Sequence, residues 1–189
     1  MGFILREFQM KNFTPFLIPI LLLSSCRSPE PRLPETVKSG SFISESAQRN
    51  KKLNEQERLT IKALIAGDST INYIASESGF WYRYNVKVDR DTIKPTFGDE
   101  VNFKYSVDDL QGSSIYSAEE LGNQNYIIDK EELFTGLREG LKLMKPTETV
   151  TFIFPSQVAY GYYGDDEKIG TNVPLICEVT LNTIIKNND

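Results

Sequence analysis

Apolar residues follow three successive patterns along this chain. Residues 13–23 form an almost continuous apolar run, residues 27–52 hold few apolar side chains, and beyond residue 54 apolar positions recur at helical or strand spacing. In the third region Asn54 stands three residues before Glu57, the spacing of a capping box. Leu59, Ala63 and Ala66 then fall on one side of successive turns, and Ile61, Leu64 and Ile65 broaden that face. The pattern predicts a helix of about three turns that ends at Gly67. A short helical or irregular piece is expected over residues 71–78, with Gly79 as a break. Residues 80–88 (FWYRYNVKV) are aromatic and β-branched and read as a strand. Val101, Phe103, Tyr105 and Val107 alternate with polar residues, which is the mark of a half-buried strand.

Gln111-Gly112 signals a turn, Ile115-Tyr116 begins a return strand, and residues 126–128 are another short extended run. Asp129 precedes Glu132 at capping-box spacing, which predicts a helix to about Lys142 with Leu133, Phe134, Leu137 and Leu141 as its apolar stripe. Gly136 and Gly140 interrupt that stripe, each costing about 1 kcal/mol relative to alanine. Either the helix lies tight against a sheet or the glycines are merely tolerated. Residues 149–154 are β-rich and stopped by Pro155, and residues 175–185 close the chain as a strand. Strands, one short amphipathic helix, then strands again define an α+β fold, with the helix packed on an antiparallel sheet.

The N-terminal apolar run is too short to span a bilayer and is interrupted by Pro15 and Pro19. Arg6 and Lys11 precede it, and Met10-Lys11 would open a more compact signal. The run ends in Leu23-Ser24-Ser25-Cys26, which resembles a bacterial lipobox, in which the cysteine is acylated and becomes the first mature residue. A plain secretory signal with a chance cysteine is the competing reading. The expected organisation is therefore a signal peptide over 1–25 and a tether over 26–52, lipidated at Cys26 and containing Pro29, Pro31 and Pro34. A helical extension with a leading strand follows over 53–94, and the main domain covers 95–186.

Composition removes whole classes of chemistry. The chain has 189 residues and no histidine, so Ser-His-Asp and Cys-His mechanisms are excluded and the commonest zinc ligand is missing. A net charge of −5 and the lack of a basic patch argue against nucleic acid as a partner. Cys26 lies beside the export signal and Cys177 in a late apolar run, so no disulfide between them is expected; Cys177 reads as a small core residue. Asp165-Asp166-Glu167 fits a solvated acidic loop more simply than a cation site. No metal and no cofactor is expected.

Four segments, taken in order, carry a resemblance over residues 95–185. They are Gly98-Asp99-Glu100-Val101-Asn102-Phe103-Lys104-Tyr105, Phe134-Thr135-Gly136-Leu137-Arg138-Glu139-Gly140-Leu141, Ala159-Tyr160-Gly161 and Cys177-Glu178-Val179-Thr180-Leu181. Together they resemble the FKBP family of peptidyl-prolyl isomerases. The resemblance implies an FKBP-like sheet wrapped around a short helix, and a pocket for proline-containing polypeptides. Tyr105 and Tyr160 would be its catalytic residues, with Leu133, Phe134, Leu137, Ile169 and Ile115 lining it and the Tyr160 hydroxyl donating to a bound carbonyl. Leu133, Phe134, Leu137 and Tyr105 also fit a plain core. The chain departs from the family pattern at Ile115-Tyr116, where most active members have Phe-Asp. It departs again at Gln124 (an aromatic wall position), Leu137 (usually Trp), Ile169-Gly170-Thr171 (usually Ile-Pro-Pro) and Cys177 (usually Phe).

Residues 68–82, behind a lipobox, are similar to the gliding-motility-associated lipoprotein isomerases of Bacteroidota. That similarity implies a lipoprotein of the cell envelope, on the outer membrane with its domain facing the periplasm, linked to motility or secretion proteins. Prolyl isomerisation makes and breaks no covalent bond, so the missing histidine costs it nothing. The alternative reading is an FKBP-fold chaperone or binding module with weak or no isomerase activity.

Overall fold

The alternation at residues 101–107 is met in full: Val101, Phe103, Tyr105 and Val107 are all buried, on a strand β3 that runs Glu100–Asp108. The structure is a computed structural model, which describes residues 39–67, 70–90 and 93–187. The segment expected to be a signal peptide, Cys26 and the proline-containing part of the expected tether lie outside the described residues. Packing divides the chain into residues 1–42 and residues 43–189. Of the first unit only the opening residues of a helix are described, and the remainder of the account concerns the second. Among the described residues no helix is long and apolar enough to cross a membrane.

Helix α1 spans Ser39–Gly67. It therefore begins well before Asn54, and residues expected in the tether are helical. Residues 42–52 are exposed; Glu45, Ala47, Gln48, Arg49, Lys51 and Lys52 among them are good helix formers and no Gly or Pro interrupts them, so local propensity rather than burial carries this stretch. The buried face also differs from the expected one. Leu59 and Leu64 are exposed, as are Ala63 and Ala66, whereas Ile61 is fully buried and Ile65 partly so. Ile61 packs with Trp81 and Ile153, and the Arg58 guanidinium lies 5.6 Å over the Trp81 ring. Glu57 is not a cap partner, because its carboxylate is buried against Ser156.

The remaining elements are β1 (Ile74–Ala75), β2 (Trp81–Val86), β3, β4 (Ser114–Tyr116), α2 (Ala118–Leu121), β5 (Asn123–Ile127), α3 (Thr135–Leu141), β6 (Thr149–Phe154), a 3-10 turn (Ser156–Val158) and β7 (Leu175–Ile185). The strands form one sheet in the order β1-β2-β6-β7-β3-β4, with β5 also paired to β3. Every pairing is antiparallel. Along β6 the side chains alternate: Val150, Phe152 and Phe154 enter the main core, while Ile153 meets α1 on the other face. Asp99, buried at the start of β3, accepts from Thr96 N–H at 2.6 Å, from the Lys186 ammonium at 2.7 Å and from Asn187 N–H at 3.0 Å. Burial acts to raise that carboxyl, but these bonds outweigh it and hold it well below the usual carboxylate range.

Helix α3 is shorter than the stripe predicted. It starts at Thr135, and its N-cap is Phe134 in extended backbone (φ −61, ψ 143) rather than Asp129. Asp129 sits at φ 60 and is tied to the far end of the helix, 2.8 Å from Lys142 and 3.3 Å from Arg138. Leu133 and Phe134 thus precede the helix on an extended segment. The open question about the glycines is settled by distance. A Cβ on Gly136 would fall 2.5 Å from a Phe154 ring carbon and 2.9 Å from the Val158 carbonyl, and one on Gly140 would fall 2.9 Å from Phe152. The helix lies tight against β6.

Candidate functional site

The residues proposed for the pocket come together from four parts of the chain. Tyr105 projects from the middle of β3, where its partner on β7 is Val179 and that of Val107 is Cys177. Leu137 rises from α3, Ile169 lies in the loop before β7, and Cys177 lies on β7; all three are buried. Ile115, Leu133, Phe134 and Tyr160 are half-buried and pack against the same apolar cluster. Phe134 links helix and loop, its ring centroid 5.1 Å from that of Tyr160 and 5.3 Å from that of Phe154. Beside them opens a cleft of about 470 Å³ lined by Glu131, Glu132, Leu133, Phe134, Arg138 and Tyr160. The Tyr160 hydroxyl has no hydrogen-bond partner among the described residues.

The departures from the family pattern also find their places. Gln124 is opposite Phe103 on β5, and its amide is used locally, donating to the Leu121 carbonyl at 2.6 Å. Tyr116, buried at the end of β4, donates to Asp165 Oδ2 at 2.6 Å, and the Lys168 ammonium lies 4.6 Å over its ring. Asp165 Oδ1 in turn accepts from the N–H groups of Glu167 at 3.0 Å and Ile169 at 2.8 Å. Asp165 is therefore turned inward and shapes the loop that delivers Ile169. The expectation of a purely solvated acidic loop is corrected here, because the side chain closes its own turn two and four residues on. Among the described residues no group of acidic or cysteine side chains is arranged to hold a metal ion.

Electrostatics keep the phenols neutral. Burial first, then Tyr160, Cys177, Tyr116 and Asp165, push the Tyr105 hydroxyl well above its ordinary value. Burial, then Asp165 and Cys177, raise Tyr160. The hydrogen bond to Asp165 pushes Tyr116 up to about 12. Asp165 itself is pulled upward by burial, but the Tyr116 hydroxyl and the loop amides outweigh that and hold it below the usual range. The hydroxyls of Tyr105, Tyr116 and Tyr160 are all moved upward, away from neutrality, so a mechanism that relies on them should give a turnover flat from about pH 6 to 9. A lowered carboxyl contributes stability above its unfolded value of about 3.9 and loses it as pH falls through the folded value. The loop around Asp165 should therefore loosen only in acid. A bell-shaped rate profile centred near neutrality would contradict this assignment.

Sequence reasoning passed over Asp165 and Glu57 as shaping groups. For Asp165 a signal existed, an aspartate whose side chain can reach N–H groups two and four residues later. For Glu57 none did, since its partner Ser156 is 99 positions away.

A large antiparallel sheet packed on a short glycine-bearing helix, with a half-buried tyrosine beside the apolar cluster, defines an FKBP-like fold. Two solved structures share it. A peptidyl-prolyl cis-trans isomerase from Pseudomonas syringae matches with a TM-score of 0.56 at 20% identity, over 72% of this chain and 96% of that one. FkpA from Escherichia coli matches with a TM-score of 0.58 at 19% identity, over 89% of this chain and 78% of that one.

Residues 91–182, just under half of the chain, match the sequence profile of the FKBP-type peptidyl-prolyl cis-trans isomerases. A probable FKBP-type isomerase FkpA of Neisseria meningitidis serogroup B is 26% identical over 99 residues, 52% of this chain. That stretch spans only 36% of the curated relative's length.

Proposed function

We propose that this chain is a lipid-anchored prolyl isomerase that assists the folding of proline-containing polypeptides in the bacterial cell envelope. The observation that carries the isomerase reading is the Tyr160 hydroxyl, without a hydrogen-bond partner among the described residues and half-buried against an apolar cluster that holds Tyr105, Leu137 and Ile169. Rotation about a prolyl bond faces a barrier of about 18–20 kcal/mol and takes about tens to hundreds of seconds unaided. The twisted amide has lost its conjugation and carries less charge separation than the planar one. An apolar pocket therefore binds the transition state better than the ground state, and only such differential binding accelerates the step. Leu137, Leu133, Phe134, Ile115 and Ile169 would surround the proline ring, and Tyr160 would hold the adjoining carbonyl, which needs a donor once desolvated.

Removing that donor tests the assignment. Tyr160→Phe should lower kcat/KM on an X-Pro peptide by about fivefold, the equivalent of about 1 kcal/mol. A variant at the wild-type rate removes Tyr160 from this role.

The anchor is proposed from the lipobox-like Leu23-Ser24-Ser25-Cys26. Each buried acyl methylene adds about 0.8 kcal/mol of membrane affinity, so two or more chains hold a protein firmly. Cys26→Ser should appear as soluble or unprocessed protein on fractionation. If it still behaves as a mature membrane protein, the lipid anchor is wrong. The stretch 68–82 supports placing the chain with the gliding-motility-associated lipoproteins of Bacteroidota, on the outer membrane and facing the periplasm, with motility or secretion proteins as partners. One observation favours a second reading, a chaperone or binding module of the same fold. Tyr116, at the position where most active members carry an aspartate, is bonded across to Asp165, so the carboxylate expected at that position is replaced by a phenol already engaged.

A further inference from the structure

A carboxylate outside the pocket is buried between α1 and the turn that leads into Tyr160. Glu57 is 8% exposed, and both its oxygens accept from one residue: Oε2 from Ser156 N–H at 2.9 Å and Oε1 from the Ser156 hydroxyl at 2.7 Å. Ser156, itself 1% exposed, opens the 3-10 turn after β6. Its carbonyl accepts from Ala159 N–H at 3.0 Å and from Gly161 N–H at 2.9 Å. These two residues flank Tyr160. Every polar group of Ser156 is thus engaged, on one side by α1 and on the other by the backbone either side of the tyrosine.

Among the described residues no cation pairs with Glu57, so its position is specified by Ser156. A buried carboxylate is costly to desolvate and is compensated here by two charge-assisted bonds. Without it the buried Ser156 N–H and hydroxyl would have no acceptor. What a carboxylate adds is geometry, and this one aims at the tyrosine loop. Ile61, one turn further along α1, locks the helix against Trp81 and Ile153. The carboxylate is therefore presented from a fixed support.

We infer that Glu57 is a positioning residue for prolyl isomerisation, setting through Ser156 the turn that presents the Tyr160 hydroxyl. The working unit then includes α1, although the family match begins only at residue 91. This inference rests on the isomerase reading, and its test is built to fail separately from it.

In the full chain in detergent, Glu57→Gln keeps the side chain's shape but turns one acceptor into a donor facing Ser156. It should lower kcat/KM on an X-Pro peptide by up to about fivefold, as much as losing the Tyr160 hydroxyl itself, and speed hydrogen exchange at the Ala159 and Gly161 amides. In a Tyr160→Phe background the same change should cost less than about twofold, because residues acting through one hydroxyl are not additive. A merely structural role would give equal losses in both backgrounds, and that result overturns the inference, as does an unchanged kcat/KM in the single variant. Should the wild-type chain accelerate nothing, the isomerase reading fails alone. Exchange at residues 159 and 161 then decides the positioning role, and unchanged exchange in Glu57→Gln overturns it. If Glu57→Gln does not fold, Ser156→Ala, which removes only the hydroxyl donor, carries the same comparisons with the same deciding outcomes.

Discussion

Leu137→Asp should abolish both isomerisation and cooperative folding. Leu137 is fully buried on α3, and in the proposed isomerase it would lie under the proline ring. A carboxylate there would lie among Tyr105, Ile169 and Cys177 in the same apolar cluster, with no buried cation to meet it. Such an uncompensated charge costs several kcal/mol, about 3–5 where a buried pair loses one partner, against a total stability of about 5–15 kcal/mol. Leu137→Ala separates the two effects. It should lower stability by about 2–5 kcal/mol through the cavity it leaves, keep a cooperative urea transition and weaken peptide binding. A Leu137→Asp variant with the wild-type urea midpoint would show that α3 does not face the core as described.

Gly136→Ala should destabilise the chain, against the usual direction for such a change in a helix. Propensity alone predicts a gain of about 1 kcal/mol. The added Cβ would fall 2.5 Å from a Phe154 ring carbon and 2.9 Å from the Val158 carbonyl. A ring can tilt, but the carbonyl belongs to the turn that carries Tyr160 and cannot move without it. Overpacking of this kind costs about 1–3 kcal/mol, so the net sign is unfavourable. The Phe154 ring also meets Phe134 edge-on, and Phe134 packs at a tilt against Tyr160. The variant should therefore lose activity along with stability. Urea denaturation and peptide kinetics check both, and a higher urea midpoint would mean the helix stands further from β6.

The strands were the legible part of this sequence, because a half-buried strand writes its two faces directly into alternate positions, as β3 does with Val101, Phe103, Tyr105 and Val107. Helices were read less well, for two different reasons. The start of α1 rests on propensity alone and has no buried stripe to announce it. The apparent start of α3 rested on an Asp129–Glu132 spacing that tertiary contacts override, Asp129 being drawn to Arg138 and Lys142 at the other end. The candidate site was legible where it coincides with the core, at Leu137 and Ile169. Tyr160 stands out in the sequence because a tyrosine between Ala and Gly in a loop is hard to assign to packing, and the structure packs it half-buried against Phe134. The supports of that tyrosine were not legible. Glu57 and Ser156 are far apart in the chain, and neither has a spacing that marks it. Asp165 was hidden among acidic neighbours that do face solvent.

Everything proposed about mechanism depends on whether the hollow turns a prolyl bond over or only holds it. Two-dimensional NMR exchange on an X-Pro peptide, with a small amount of the full chain added in detergent, measures this without a coupled reaction. Exchange peaks linking the cis and trans forms should appear at mixing times of about a second or less, far faster than the tens to hundreds of seconds of the free peptide. Shifted peptide resonances with no exchange peaks would contradict the isomerase account and leave a binding module with the same fold.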